Sequence, residues 1–202
     1  MSIIPMGLSM PDWESGDLAA IRQRLANSAS RLSAAGCDYF VCPDNTAHLA
    51  LETNGPDLEL PGLHIADVVA SEASRLGYRK LGILGTKWIM TKPMYFSAAK
   101  ARGLDAIAPG ENDQKFINET IFSELCNGVF ADNTRAHYVE IIERLKSQGC
   151  DAVVLGCTEI PALISPAQSP LPTLDSTRLL AQHALDVALG GKELPTWRGG
   201  PF

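Results

Sequence analysis

The chain has little cysteine and no long apolar run. Its 202 residues include five cysteines, an odd number, and no two of them form a Cys-x-x-Cys pair. This argues against a disulfide scaffold or a zinc ribbon, and it predicts a reducing, cytoplasmic compartment. No apolar stretch approaches the roughly 20 residues of a membrane helix. The N-terminus also lacks the pattern of a signal peptide, so no membrane partner is expected.

Positive charge and cofactor motifs are also scarce. Seventeen Lys and Arg against 23 Asp and Glu give a formal net charge of -6. Such a surface repels phosphate backbones, so nucleic acid is not an expected partner. The sequence contains neither the glycine-rich fingerprint of dinucleotide-binding proteins nor a phosphate-binding P-loop. Its four histidines are dispersed and show no metal-ligand spacing. We therefore expect neither a cofactor nor a metal.

What the sequence does contain is an alternation of helical and strand patterns. Apolar residues at helical spacing predict helices over 17–35, 67–76, 113–126, 135–148 and 177–189. Glycines 36, 77, 149 and 190 follow four of them as stop signals. Short apolar runs at 39–42, 81–84 and 152–155 are typical of strands that are buried on both faces. This order predicts an α/β fold with a mostly parallel sheet, in which ligands bind where the strands end.

Two segments of the chain resemble each other. Residues 31–46 and 144–159 align without gaps, share a Gly-Cys-Asp motif before a predicted strand, and place Asp44 opposite Cys157. One interpretation is two independent α/β units that happen to use the same motif. The other is a pseudo-twofold molecule whose two strand-end loops face each other across a small substrate. The second arrangement would place two acid/base groups as proton removal and return at a carbon centre require.

The same loops resemble those of a known family. Residues 41–48 (VCPDNTAH) and 155–161 (LGCTEIP) resemble the two active-site loops of the aspartate/glutamate racemase family, and residues 63–67, 81–86 and 172–178 also fit it. The resemblance covers nearly the whole chain. It implies two pseudo-symmetric three-layer αβα lobes with mostly parallel sheets and an active-site cleft between them. The first lobe would comprise 1–66, with 172–202 returning to it, and the second 67–171.

The resemblance also implies a function. Members of this family are cofactor-independent racemases that remove and return the α-proton with a pair of cysteines, one per lobe. It therefore implies a racemase or epimerase, independent of pyridoxal phosphate, that acts on aspartate, glutamate or a related amino acid. Cys157 corresponds to the second catalytic cysteine. Four further residues would bind the substrate carboxylate: Asn45, Thr46, Thr86 and Thr158. A homodimer is expected by resemblance only.

The chain departs from the family at the first catalytic position, where Asp44 replaces cysteine. Cys42 lies two residues earlier, and we predict that it is a core residue because free cysteine behaves as a small hydrophobe. Family members also begin with a strand and a glycine-rich loop. Only residues 1–10 precede the first region that resembles them, so this strand is predicted to be absent.

A second departure concerns the side chain of the substrate. Aspartate racemases of this family hold the side-chain carboxylate with an arginine and a lysine, and the corresponding residues here are Trp13 and Cys126. Acidic side-chain specificity is therefore in doubt. Lys87 and Lys92 either substitute for these residues or are solvated surface lysines.

The acid/base chemistry of the pair is unequal. A carboxyl ionises near pH 3.9 and a free thiol near pH 8.5, so at neutral pH Asp44 accepts the proton and Cys157 donates one. This predicts a kinetically one-sided racemase. Two alternatives remain: a decarboxylase or cis-trans isomerase that uses Cys157 as the sole proton donor, and a non-catalytic carboxylate-binding relative.

Two neighbours of these loops also have open roles. His48 either orients Cys157 in a thiol hydrolase or belongs to the structure of its loop and helix start. Glu159 either relays protons or caps the helix that follows it.

Overall fold

The structure, a computed structural model, describes residues 1–201, with the side chain of Met6 left aside. Its α-helices are α1 (Met10–Ser15), α2 (Leu18–Ala34), α3 (Ala47–Leu51), α4 (Ile65–Arg75), α5 (Lys87–Thr91), α6 (Met94–Ala101), α7 (Glu111–Ser123), α8 (Asp132–Ser147), α9 (Ile160–Leu163) and α10 (Ser176–Ala188). Its strands are β1 (Phe40–Val41), β2 (Gly62–Leu63), β3 (Lys80–Gly85), β4 (Asp105–Ile107), β5 (Ala152–Gly156) and β6 (Thr173–Asp175). None of the helices within residues 1–201 is long and apolar enough to cross a membrane.

The strands form two parallel sheets. One contains β1 and β2, and the other has the strand order β4-β3-β5-β6. All five predicted helices and all three predicted strands are present, with boundaries that shift by up to three residues or so. The prediction of an α/β fold with parallel sheets is confirmed.

The two central strands of the larger sheet are buried on both faces. Every residue of β5 and all but the first residue of β3 are buried. On one side, helix α8 covers them with Tyr138, Ile141, Ile142 and Leu145. These four positions recur at helical spacing, so the apolar face of α8 is turned towards the sheet. This packing accounts for strands that are apolar throughout rather than alternating.

The ends of β3 and β5 meet at two glycines. Gly85 lies opposite Gly156 in the parallel register, and a Cβ atom on Gly156 would lie 2.8 Å from the backbone oxygen of Leu84 and 3.1 Å from Ile89 Cγ2. Because these distances are shorter than normal contacts, only glycine lets helix α5 pack directly on the strand ends.

We expect Gly156→Ala to lower the free energy of unfolding by about 1–3 kcal/mol, since the added methyl group meets backbone and a packed side chain. Denaturant unfolding of the whole chain measures the change. Gly7→Ala is the matched control, because a Cβ atom there has nothing within 4 Å. Equal unfolding midpoints for the two variants would contradict the prediction.

The chain divides into two compact units. Unit one contains residues 1–42, 46–64 and 181–201, and unit two contains residues 43–45 and 65–180. This division differs from the predicted lobes at residues 43–45, 65–66 and 172–180, all of which the sequence prediction assigned to the first lobe. Residues 172–180 belong to unit two because β6 pairs with β5. The core of unit two is formed by α7, α8, β5 and their neighbours.

Unit one has a smaller core, around Phe40, Leu51, Leu58 and Leu60. Cys42 packs against this cluster, in agreement with its prediction as a core residue. The end of the chain also belongs to the unit. The backbone N–H of Gly62 donates to the carbonyl of Trp197, and that of Leu58 donates to the carbonyl of Arg198, both at 2.8 Å. The last described residues are thus tied to β2 and the loop before it.

The repeated Gly-Cys-Asp motif has a local structural cause. Gly36 and Gly149 each follow a helix in the left-handed conformation, with φ of 81° and 89°. The backbone N–H groups of Cys37 and Cys150 both donate back into the preceding helix, to Leu32 and Leu145, at 3.1 Å. The two motifs therefore form the same helix-terminating turn.

Candidate active site

The carboxyl ends of three strands place three polar residues along one edge of the sheet in unit two. Gly85 and Gly156 are paired, and Leu155 is paired with Asp175. The residues that follow β3, β5 and β6 are therefore neighbours at this edge: Thr86, Cys157 and Ser176. This is the edge at which parallel α/β sheets bind ligands.

The second active-site loop has a defined hydrogen-bond arrangement. The Cys157 thiol donates to Glu159 Oε2 at 2.9 Å, and the Thr158 hydroxyl donates to the same oxygen at 2.7 Å. Cys157 and Glu159 are both half-buried, and Thr158 is exposed. One carboxylate oxygen thus holds both the proposed catalytic thiol and a hydroxyl that reaches the surface.

These surroundings favour the protonated form of Cys157. Burial raises the pKa of the thiol, and the hydrogen bond to Glu159 and its negative charge raise it further. Cys157 is consequently a thiol at neutral pH, as the proposed donor role requires. The carboxylate of Glu159 makes no capping hydrogen bond to helix α9, which begins directly after it. Of the two roles considered for Glu159, the geometry therefore favours the one that involves Cys157.

The first active-site loop is anchored by its asparagine. Asn45 is 3% exposed. Its Oδ1 accepts a hydrogen bond of 2.5 Å from the Tyr95 hydroxyl, and its Nδ2 donates to Ser176 Oγ at 3.0 Å. Ser176 in turn donates to the carbonyl of Leu155 at 2.9 Å. A continuous chain of hydrogen bonds therefore joins the loop to strand β5.

Through this anchoring, the first loop is grouped with the same compact unit as the second. The prediction placed Asp44 and Cys157 in different lobes, whereas the structure groups residues 43–45 with unit two, which also contains Cys157. The physical reason is the hydrogen bonding of Asn45 to Ser176 and Tyr95. Asp44 itself is exposed. The side-chain amide of Asn45 is thus engaged by protein groups, a role that its prediction as a carboxylate ligand did not include.

Two other predicted site residues belong to unit one. Thr46 is buried directly before helix α3. His48 is fully buried, with its ring stacked on that of Trp197 at 6.0 Å and edge-on to that of His64 at 5.1 Å. His64 Nε2 contacts Glu52 Oε1 at 2.9 Å. For His48 this arrangement supports a role in the structure of its helix start rather than in a thiol hydrolase.

The residues considered for binding the substrate side chain also lie in different parts of the chain. Trp13 is buried in helix α1 of unit one. Lys87 places its Nζ atom 4.7 Å from the centre of the Trp88 ring, and Lys92 is exposed after helix α5. Cys126 lies in a short 3-10 helix, Leu125–Asn127, where burial and the charge of Glu159 both raise its pKa. Cys126 thus lies within the electrostatic reach of the Glu159 carboxylate.

Tyr95 and Ser176 were not identified from the sequence. Ser176 directly follows Asp175 at the start of helix α10, where a helix cap is a sufficient explanation for an acidic residue. That capping bond is present, because the backbone N–H of Arg178 donates to Asp175 Oδ1 at 3.0 Å. Tyr95 carries no motif at all. Its partner is 50 positions away along the chain, so no local pattern could have found it.

Comparisons with known proteins support the family that the two loop motifs resemble. The sequence profile of the family described as Asp/Glu/Hydantoin racemase matches residues 3–184. The chain is 26% identical over 169 residues to the broad-specificity amino-acid racemase RacX of Bacillus subtilis (strain 168), covering 84% of this chain and 73% of RacX. It is 31% identical over 173 residues to the glutamate racemase of Pseudomonas entomophila (strain L48), covering 79% of this chain and 57% of that enzyme.

A solved structure shows the same fold. The crystal structure of a proposed Asp/Glu racemase from Yersinia pestis matches with a TM-score of 0.81 and 31% sequence identity, covering 92% of this chain and 81% of that one. The resemblance that the two loops carry is thereby confirmed. The relatives and the solved structures indicate an enzyme of the isomerase class, a racemase. The chain spans less than two thirds of the glutamate racemase.

Proposed function

Since this chain belongs to the Asp/Glu/Hydantoin racemase family, we propose that it inverts an amino acid at its α-carbon without a cofactor, with Asp44 and Cys157 as the two acid/base groups. The observation that carries this proposal is the Cys157 thiol, held at 2.9 Å by Glu159 at the carboxyl end of β5. Asp44 supports it as the residue next to Asn45, which is anchored to the same sheet edge.

The proposed step conserves protons and electrons. The Asp44 carboxylate takes the α-proton of one enantiomer, and the electron pair of the broken C–H bond remains on the α-carbon. The Cys157 thiol then gives its proton to the opposite face, which leaves a thiolate on Cys157 and a carboxylic acid on Asp44. From this state, the Cys157 thiolate and the Asp44 carboxylic acid convert the other enantiomer by the reverse of these steps. Thr86 and Thr158, at the same sheet edge, are the proposed ligands of the substrate carboxylate.

In the resting enzyme the two groups of this pair differ in protonation. A thiol whose pKa is raised by burial and by Glu159 stays protonated, and a carboxyl ionises readily at neutral pH. The enzyme therefore waits as carboxylate and thiol, ready for the enantiomer whose α-proton faces Asp44. Solvent deuterium should enter that enantiomer without inversion whenever the protonated carboxyl of Asp44, which is exposed, exchanges with water before Cys157 delivers its proton.

The surroundings of Cys157 bear on the substrate class. The groups that influence its pKa are the carboxylate of Glu159 and the thiol of Cys126. A second carboxylate on the substrate would meet the like charge of Glu159 if it lay on this side. We therefore propose that amino acids with uncharged side chains are better substrates than aspartate or glutamate.

Proton NMR in D2O tests the proposal with a panel of L- and D-amino acids. We expect the α-proton signal of at least one uncharged amino acid to disappear while its optical rotation falls towards zero. Cys157→Ala should abolish both changes, and Cys37→Ala, which alters an exposed cysteine, should leave them intact. Loss of CO2 or double-bond isomerisation of a small dicarboxylic acid, without α-proton exchange in any amino acid, would overturn the racemase in favour of the lyase or isomerase alternative.

A further inference from the structure

Tyr95 touches the residues next to both proposed catalytic groups. It is the second residue of helix α6 and is 2% exposed. Its hydroxyl donates to Asn45 Oδ1 at 2.5 Å, and Asn45 directly follows Asp44. Its ring rests on Gly156, where an added Cβ atom would lie 3.6 Å from Tyr95 Cε2, and Gly156 directly precedes Cys157. One side chain therefore lies against both active-site loops.

The hydrogen bonds that Tyr95 begins run on to strand β5. Asn45 Nδ2 donates to Ser176 Oγ at 3.0 Å, and Ser176 donates to the Leu155 carbonyl at 2.9 Å. Ser176 is fully buried, so each group in the chain has exchanged water for a protein partner. Buried polar chains of this kind specify a single geometry, because any displacement leaves a desolvated group without its partner.

We propose that Tyr95 is a positioning residue, which fixes the distance between Asp44 and Cys157 by holding Asn45 with its hydroxyl and Gly156 with its ring. This inference rests on the proposed racemase function. Tyr95 itself does not exchange protons with the substrate. Burial raises its pKa, so it remains a neutral phenol that donates one hydrogen bond. Tyr95 therefore affects only the positions of the two acid/base groups.

The kinetic test is Tyr95→Phe, which removes the hydroxyl and keeps the ring. We expect kcat to fall about tenfold while KM changes less than about twofold, because small displacements of acid/base groups affect the transition state most. Tyr39→Phe is the matched control. It also removes a tyrosine hydroxyl that makes a hydrogen bond, because Tyr39 donates to the carbonyl of Ala184 at 2.7 Å within unit one. Equal falls of kcat in the two variants would overturn the proposal.

A double-variant cycle separates positioning from general loss of stability. Ser176→Ala breaks the same chain of hydrogen bonds at its other end. If Tyr95 and Ser176 act through Asn45, the two substitutions together should lower kcat no more than the stronger one alone. Tyr39→Phe combined with Ser176→Ala should instead multiply the separate effects. A multiplicative result for Tyr95 and Ser176 would overturn the proposal, and the same cycle identifies the effect if Tyr95→Phe alone folds poorly.

Amide hydrogen exchange followed by mass spectrometry tests the positioning without any activity. Tyr95→Phe should accelerate exchange in peptides that contain residues 43–46 and 156–158, and Tyr39→Phe should not. If no amino acid is racemised by the wild-type chain, the proposed function fails, while this measurement still decides whether Tyr95 holds the two loops. Unchanged exchange in both peptides would overturn the positioning role, whatever the activity.

Discussion

Asp44→Asn is expected to lower kcat/KM about 10²- to 10⁴-fold for both enantiomers, the usual contribution of a positioned general acid or base. Asparagine keeps the size of the side chain but neither accepts the α-proton nor returns one. Because the equilibrium constant of a racemisation is one, the loss must be equal in the two directions. Thermal unfolding of the variant separates this loss of activity from any loss of stability. Polarimetry with each enantiomer, beside thermal unfolding, measures both effects.

Asp44→Cys is the matched companion, because it restores the two-thiol pair of the family. With a carboxylate as acceptor, the acidic limb of kcat/KM should lie at lower pH than with a thiol as acceptor, because carboxyl groups are the stronger acids. With a thiol as acceptor, activity should rise with pH until the thiolate forms, near pH 8.5 for an ordinary thiol. An acidic limb that stays in the same place in Asp44→Cys would show that Asp44 is not the acceptor.

Local patterns predicted the long elements of the fold. Helix α8 is an example. Its buried residues follow the spacing that places side chains on one face of an α-helix: Tyr138, Ile141, Ile142 and Leu145. Strand β5 was equally visible, as an apolar run that ends in glycine. The two active-site loops were found because their residues follow such strands. These features depend on neighbours within a few positions, so the sequence displays them directly.

Strand β2 was not predicted, because it depends on distant partners. Strand β2 has only two residues, Gly62 and Leu63, and exists because β1 and the end of the chain supply its hydrogen bonds. Asn45 illustrates the same limit within the site. The family resemblance implied a substrate ligand, and it gave no sign that the Asn45 side chain is engaged by Tyr95 and by Ser176, which is 131 positions away. Contacts of this range are set by the packing of strands and helices, not by a local pattern.

Glu159→Gln is expected to increase the alkylation rate of Cys157 at pH 8 by about tenfold, because the charge and the hydrogen bond that favour the thiol are both removed. Burial is the larger cause of the raised pKa, so the thiol should still react more slowly than the exposed Cys37 does. Iodoacetamide labelling over a pH series, with the Cys157 peptide followed by mass spectrometry, measures this directly.

The same variant should change the pH dependence of racemisation in a definite direction. Cys157 must be protonated to act, so activity is lost as pH rises through its pKa. In the wild type that pKa is raised, and activity should persist beyond the ordinary thiol range. In Glu159→Gln the alkaline limb should move to lower pH. Glu124→Gln is the control, because that carboxylate also accepts a hydroxyl hydrogen bond in unit two, at 2.6 Å from Thr134. If the alkaline limb moves equally in both variants, Glu159 acts on Cys157 only as a general negative charge. That result would contradict a role for its hydrogen bond.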